Sequence, residues 1–384
     1  MPILDTITFH KFKRLHNLEL RDLGKINLLV GNNNSGKTSI LEGLSLYANP
    51  LDIREWWLIS RNREQEDRLT RTSVIDAIRW LFPQNSRQDL DFSINAAIEY
   101  GKFSISSQSN SRFPILSLEA SYEVVEELRL PRKWKGRAEE ANEPEDMELV
   151  QGLDIRVKIK PTTVQQTLFE DEEKLDFQIW ENEPSIRFPR KSEYQTPFVL
   201  ITTISHRSES NFRLLSEAKY QDFKDEVIKL LQEVDPDILD VQILTEQGSR
   251  FSNRFAIQIE HKKLGFAPLS SFGDGIRRLF HIALNLPRIQ GGILLIDEIE
   301  SAIHTEALQS SYRWLVKWCT EKDIQVFATT HSLEAVDALL AVTESDDQLV
   351  LYRLESEEDQ THVIRHGWER LKILREELGQ EVRW

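Results

Sequence analysis

One run of the chain limits its fold more than any other feature. Gly31-Asn32-Asn33-Asn34-Ser35-Gly36-Lys37-Thr38 matches the pattern Gly-(four residues)-Gly-Lys-(Ser/Thr) without a mismatch. It follows Ile26–Val30, apolar except for Asn27, as a mostly buried strand requires. It precedes Ser39–Tyr47, where Ile40, Leu41, Leu44 and Tyr47 recur at helical spacing. Strand, glycine loop and helix in that order build a phosphate cradle. The glycines let the backbone turn tightly, so that successive N–H groups of Asn32, Asn33, Asn34 and Ser35 can point at phosphate oxygens. The helix that follows, with Ser39 in its first turn, adds its positive end. Lys37 reaches the β- and γ-phosphates as a point charge, and the Thr38 hydroxyl is a Mg²⁺ ligand.

Such a loop needs a carboxylate from a neighbouring strand to hold the metal. Ile293-Leu294-Leu295-Ile296-Asp297 supplies one, as four apolar residues with an acid at the strand's carboxyl end. Asp297 is the metal-shell candidate. Glu298 would face the γ-phosphate and polarise a water, as general base or positioning group. The plainer alternative is that both acids cap the following helix. The large insertion between Lys37 and Asp297 is unlike a small GTPase, and no Asn-Lys-x-Asp guanine motif occurs. Neither a His-Arg-Asp loop nor an Asp-Phe-Gly triplet supports a protein kinase.

Composition narrows the class further. The chain has 384 residues, 40% hydrophobic and 29% charged, which is enough apolar material for a sizeable core. The net charge of −15 is opposite to that of a general nucleic-acid coat. Local basic spots at Lys11–Arg14, Arg129–Arg137 (with Trp134) and Arg187–Lys191 leave DNA contact open. Cys319 is the single cysteine, so neither an internal disulfide nor a cysteine-based zinc cluster can form. No apolar run reaches the roughly 18 residues of a membrane span. Met1–His10 lacks a secretory layout, and a cytoplasmic location is expected.

Between the two motifs the pattern predicts helices over Val74–Leu81 and Lys219–Val234. Strands are predicted over Phe92–Tyr100, Ile115–Val124, Leu153–Ile159, Leu175–Ile179 and Phe198–Ile204, and a strand pair over Val241–Leu244 and Phe255–Ile259. The acidic stretches Glu139–Glu148 and Glu170–Glu173 read as solvated loops rather than a metal-carboxylate site. Toward the C-terminus come a helix over Gly275–Leu286, buried strands over Gly292–Ile296 and Ile324–Thr329, and a helix over Glu306–Thr320. A strand over Leu349–Leu354 and a closing helix over Trp368–Leu378 complete the series.

Two further segments give a resemblance. Leu269-Ser270-Ser271-Phe272-Gly273-Asp274-Gly275 resembles the ABC-type signature, with Ser271, Gly273 and Asp274 in the diagnostic places and Ser270 where the family has Leu. Thr329-Thr330-His331-Ser332 resembles the ABC-type switch histidine. Phe272–Leu279 and Ile296–Glu300 with His304 look like the RecF/SMC/OLD-like branch, the bacterial AAA-type ATPases of DNA repair and phage defence. The likeness covers residues 1–50 and 265–384, and says little about the middle. Taken singly, Ser271–Gly275 could be a loop with Asp274 as helix cap, and His331 a core or capping histidine.

The resemblance implies an α/β fold: an ABC-type P-loop head with a mixed sheet, flanking helices and N-terminal antiparallel strands. Residues 1–50 and 265–384 would form the head. Residues 51–264 would be an insertion, part completing the antiparallel sheet and part a helical/β arm. It implies hydrolysis of ATP with Mg²⁺ by head-to-tail pairs. Ser271, Gly273 and the following helix would meet the γ-phosphate held by the partner's Lys37 loop, and His331 would bond that phosphate in its own subunit. A glutamine lever would come from Gln84, Gln88 or Gln108, and Phe12-Lys13 falls where this family places a residue over the adenine or ribose. The stretch after His331 is too short for the toprim nuclease domain of OLD-type proteins, and no SMC-type coiled coil is present. A homodimer or higher homo-oligomer gating a separate effector, a nuclease or toxin, is therefore expected. The alternative is a weakly hydrolysing scaffold or sensor that holds and releases a protein partner. Trp56-Trp57 and Trp384 suit either an interface or the core.

Overall fold

The computed structural model describes residues 3–61, 73–83, 100–108, 114–129, 148–161, 173–181, 195–207, 211–245, 255–357 and 360–384. Along the chain, a hairpin of β1 (Thr6–Phe12) and β2 (Leu15–Leu20) leads to β3 (Ile26–Gly31) and α1 (Lys37–Ala48). Helices α2 (Ile53–Arg61) and α3 (Val74–Arg79) precede four long strands. These are β4 (Tyr100–Gln108), β5 (Ile115–Arg129), β6 (Glu148–Pro161) and β7 (Glu173–Trp180). Then come β8 (Phe198–Ile201), α4 (Asn211–Tyr220), α5 (Lys224–Val234), β9 (Ile238–Thr245), β10 (Phe255–His261), β11 (Gly265–Pro268) and α6 (Asp274–Asn285). The last third holds β12 (Ile293–Ile296), α7 (Thr305–Glu321), β13 (Gln325–Thr329), α8 (Leu333–Leu340), β14 (Leu349–Glu357), β15 (Gln360–Gly367) and α9 (Trp368–Lys372). A π-helical turn over Ile373–Glu377 continues α9.

The strands form three sheets. An antiparallel sheet runs β2-β1-β4-β5-β6-β7, and a small one runs β11-β10-β9. The third runs β15-β14-β3-β13-β12-β8 and is parallel except for β15 at its edge. Strands β3, β12 and β13 are buried along their whole length because both faces are covered. Ile26, Leu28 and Val30 of β3 pack on the side of α5, α6, α7 and α8, with Leu231, Phe280, Tyr312 and Val336. Leu29 points the other way, into the core shared by α1 and the antiparallel sheet, with Ile40, Leu44, Phe9 and Phe103. Helix α1 is thus held between two sheets, which fixes the loop at its N-terminus. This is the α/β architecture of an ABC-type P-loop head.

The polar exception in β3 has a structural use. Asn27 is fully buried; its amide donates to the carbonyls of Gly24 (2.9 Å) and Val326 (3.1 Å) and its oxygen accepts from Gly24 N–H (2.9 Å). Gln325 does the same at the start of β13, accepting from the N–H of Ile3 and Leu4 and donating to the carbonyls of Leu4 and Gly24. Both satisfy backbone groups that burial would otherwise orphan.

The single helix expected over Lys219–Val234 is two. Asp222 takes a left-handed φ of 53° between α4 and α5, and Phe223 N–H turns back to the Ala218 carbonyl, ending the first helix before Phe223 is buried. Most of the strand expected over Phe92–Tyr100 lies outside the described residues, as do Gln84, Gln88, Arg187–Lys191, Glu139–Met147 and Glu170–Glu172.

Candidate functional site

Five parallel strands end on one side of their sheet, and the predicted site residues sit on the segments leaving β3, β12 and β13. In an open α/β sheet the carboxyl edge is where ligands bind. The loop after β3 needs its glycines. Gly31 has φ +143°, and a Cβ there would lie 2.4 Å from the Leu354 carbonyl oxygen. Gly36 has φ +99°, with Leu15 Cδ2 at 2.6 Å from such a Cβ. Asn34 supplies a third left-handed residue, φ 65°, tolerated by its short polar side chain. No side chain caps α1, so its first N–H groups face the loop's interior.

Lys37 is 7% exposed and folds back over this loop, donating to the carbonyls of Gly31 (2.8 Å) and Asn32 (2.9 Å). Burial pulls its ammonium below the usual lysine range, and the charges of Asp297 and Glu298 pull it back. Thr38 Oγ1 lies 3.4 Å from Asp297 Oδ1, so the two segments, far apart in sequence, meet at this pair. Asp297 is fixed from below: its Oδ1 accepts from the Thr329 hydroxyl at 2.7 Å, and the same hydroxyl accepts from Glu298 N–H at 2.8 Å. Glu298 is exposed and has a left-handed φ of 48°, a strained backbone of the kind found at functional sites.

His331 follows β13 and is half-buried. Its imidazole is held below the usual histidine range by burial and by the nearby Lys37 charge. Its N–H donates to Glu300 Oε1 at 2.9 Å, while Glu300 Oε2 accepts from the Thr330 hydroxyl at 2.7 Å. Glu300 thus ties the segment after Asp297 to the one that carries the histidine.

The signature stretch is arranged differently. Ser271 and Gly273 are exposed, and a Cβ at Gly273 would meet nothing within 4 Å. Gly275 packs tightly, since a Cβ there would sit 2.4 Å from the Ala302 carbonyl oxygen. Asp274 opens α6 and is paired with Arg207 (2.9 Å), Arg277 (2.9 Å) and His206 (3.3 Å). The Arg207 hydrogen bond leads the effects that hold its carboxyl below the usual range. No hydrogen bond among the described residues joins Ser271, Gly273 or Asp274 to the Lys37 loop.

Sequence reading overlooked four groups: Thr329 as the support of Asp297, Glu300 as a bridge, Arg383, and Arg278. Arg278 is fully buried and donates to the carbonyls of Asp297 (2.6 Å), Glu298 (2.8 Å) and Thr202 (3.1 Å), joining α6 to the acidic pair. Its place in the Phe272–Leu279 stretch, one turn beyond Asp274, was the signal available.

Phe12 is not placed to cover a base: it is buried and meets Phe103 edge-on at 5.2 Å, because an irregularity between Phe9 and Lys11 shifts the alternation of β1 and turns Phe12 into the core. Lys13 is paired with Glu42 of α1. Gln108 ends β4 in the antiparallel sheet. Trp56 belongs to the core against Phe103 and Phe82, whereas Trp384 is exposed. His304 caps α7 and is exposed.

Two other places gather polar groups. A cleft of about 410 Å³ between β2 and β15, lined by Arg21, Asp22, Tyr352 and Arg365, contains no residue of the phosphate loop. Asp235, Asp237 and His261 lie close together, but His261 Nδ1 already accepts two backbone N–H groups, His261 Nε2 meets Asp235, and Lys263 holds Asp237. No helix among the described residues is long and apolar enough to cross a membrane.

The chain is similar to several known proteins. Residues 72–337 match the family described as "AAA domain, putative AbiEii toxin, Type IV TA system". An uncharacterised protein of Methanocaldococcus jannaschii is 33% identical over 113 residues, covering 29% of this chain and 98% of that one. An "ATP/GTP phosphatase" of Helicobacter pylori is 20% identical over 368 residues, 90% of each chain. Among solved structures, an Smc head bound to the C-terminal winged-helix domain of ScpA is matched over 96% of this chain and 99% of that one, at 13% identity and a TM-score of 0.46. An Smc head with extended coiled coil, bound to the C-terminal domain of ScpA from Pyrococcus furiosus, is matched over 99% and 100%, at 12% identity and a TM-score of 0.47.

Proposed function

The chain belongs to the AAA domain family that its residues 72–337 match, an ABC-type ATPase, and from that premise we propose a two-headed, Mg²⁺-dependent ATP switch that gates a separate protein. The observation that carries the reading is the meeting of Thr38 Oγ1 and Asp297 Oδ1 at 3.4 Å beside the buried Lys37. Two hard oxygen donors at the mouth of a phosphate loop fit Mg²⁺, so Thr38 and Asp297 would hold it. Bound there, the ion would neutralise charge on the phosphate oxygens.

The chain's own groups do the rest. On nucleotide entry, Lys37 exchanges the Gly31 and Asn32 carbonyls for phosphate oxygens, which regain its buried charge a partner. The uncapped N-terminus of α1 and the N–H groups of Asn32–Ser35 and Ser39 surround those oxygens. Glu298 orients the attacking water and accepts its proton. His331 donates to the γ-phosphate and couples its presence, through Glu300, to the acidic segment. Ser271, Gly273 and the start of α6 face outward and close over the γ-phosphate of a second copy, so ATP joins two heads and hydrolysis releases them.

Residues 1–50 and 265–384 are read as the head. Residues 51–264 are read as an insertion that extends the antiparallel sheet and carries an arm. The arm is where we place contact with the effector, a nuclease or toxin in a cytoplasmic phage-defence or DNA-repair system. The AAA domain family and the name of the Helicobacter relative support nucleotide turnover.

Glu298→Gln tests the reading. Single-turnover hydrolysis should fall by about a hundredfold or more, the usual worth of a positioned base. Light scattering should find a monomer without nucleotide and a stable dimer of the variant with ATP. A variant that turns over normally, or that stays monomeric with ATP, would overturn the switch.

A further inference from the structure

The peptide groups on both sides of the His331 side chain are gripped by residues from distant segments. Glu300 takes the His331 N–H at 2.9 Å, and Arg383 Nη1 donates to the His331 carbonyl at 2.5 Å. The second contact comes from a segment that the nucleotide motifs do not include. We propose that Arg383 is a positioning residue for His331, and that residues 379–384 are a strap that sets the height of this histidine above the phosphate loop. The proposal rests on reading His331 as the group that senses the γ-phosphate.

The strap is built for this. Trp368 Nε1 donates to the Leu340 carbonyl at the C-terminal end of α8. Arg375 makes a bidentate pair with Asp337 in the middle of the same helix, at 2.7 and 2.8 Å. Gly379 then turns through φ +59°, and Gln380 N–H closes on the Leu374 carbonyl at 2.8 Å. Val382 is 1% exposed and anchors the return in the core on the helical side of the parallel sheet. The chain has now run the length of α8 and reached its N-terminus, where His331 sits.

Arg383 is aimed, not merely nearby. Glu381 holds its guanidinium on two oxygens, Nε at 2.9 Å and Nη2 at 2.8 Å, which leaves Nη1 for the His331 carbonyl. Glu381 Oε1 also accepts the backbone N–H groups of Val382 and Arg383. A planar fork fixed on one side presents its remaining donor in one direction. A side chain that must meet a phosphate oxygen within a fraction of an ångström depends on such supports. With the backbone held on both sides, only the imidazole of His331 is left to respond.

Steady-state hydrolysis by the full chain tests this with Arg383→Ala, Arg383→Lys, His331→Ala and the double variant Arg383→Ala/His331→Ala. Arg383→Ala should lower kcat by about tenfold or more, as loss of a supporting contact does, with KM changed by less than about twofold. Arg383→Lys, which keeps a donor, should recover part of the loss. In the His331→Ala background Arg383→Ala should cost nothing further, because the group it positions is gone. An equal fall in both backgrounds would assign Arg383 a general structural role and overturn the proposal. Unchanged kcat for Arg383→Ala, beside a slow His331→Ala, would overturn it while leaving the switch reading intact. Normal turnover by His331→Ala would instead overturn the reading of the histidine, and the proposal with it.

Discussion

In the phosphate site the two halves of the motif are already joined within the chain. Lys37 is bonded to two loop carbonyls, Asp297 to Thr329 and Thr38, and the segment after β13 to Glu300. In the signature loop the arrangement is reversed. Asp274 is held by Arg207, Arg277 and His206, but Ser271 and Gly273 in front of it stand exposed, with open space around Gly273. The first region is assembled by folding. The second is only braced by folding, and its forward face is exposed. Under the function proposed above, a site divided in this way would be switched by association, because neither half would do the chemistry alone.

The most damaging change on either side should therefore be repairable by the other. Lys37→Ala removes the phosphate's charge partner and should slow hydrolysis at least about a hundredfold, the order lost with one preorganised donor. Gly273→Asp should be as inactive, since it places a carboxylate where the partner's phosphate arrives, yet the chain should fold because nothing lies within 4 Å of that Cβ. Mixed in equal amounts, the two dead variants should regain about a quarter of wild-type turnover, through mixed pairs holding one intact site each. If mixing restores nothing while both variants dimerise with ATP, the two loops do not meet in trans and the comparison fails.

Two glycines two residues apart sharpen it. A methyl group at Gly275 would press within 2.4 Å of the Ala302 carbonyl, and backbone cannot swing aside as a side chain can. Gly275→Ala should cost about 2 to 3 kcal/mol, typical of overpacking. Gly273→Ala should cost less than about 0.5 kcal/mol, as at an unobstructed surface position. Urea denaturation of the two variants reads the difference; similar costs would mean that the loop's front is packed as firmly as its back.

What could be read from sequence follows the same division. The strand into Gly31, the apolar run ending at Asp297 and the buried strand before His331 announce themselves because each couples a local pattern to a chemically specific residue. Thr329 and Glu300 gave no such sign, since their roles exist only where β12 and β13 lie side by side. Arg278 and Arg383 act on carbonyls, which carry no sequence information. Phe12 was misjudged because the family resemblance that suggested it carries no sign of the irregularity in β1 that turns the residue inward. The break at Asp222 was missed because an amphipathic pattern runs through it unbroken, and only the left-handed residue reveals the turn.

The smallest effect concerns what lies behind the signature helix. His281 of α6 is 5% exposed, and its Nδ1 is 2.7 Å from Asn211 Oδ1. Burial, with help from the charges of His206, Arg278 and Arg288, pushes its imidazole down to about 4 from 6.5. Between those values the unfolded chain binds a proton that the folded chain refuses, so acid favours unfolding. The contribution is complete above pH 6.5, erodes as pH falls, and stops changing below about 4. At pH 5.5 the loss should be about 1 kcal/mol from this group. Urea midpoints at pH 8 and 5.5, for wild type and His281→Gln, isolate it: the variant should lose about 1 kcal/mol less across that range. Hydrogen exchange at pH 5.5 should then open α6 before α1, because no buried histidine among the described residues packs behind α1 in its core. Equal losses in both proteins, or α1 opening first, would show that the braced half is no more sensitive to acid than the assembled one.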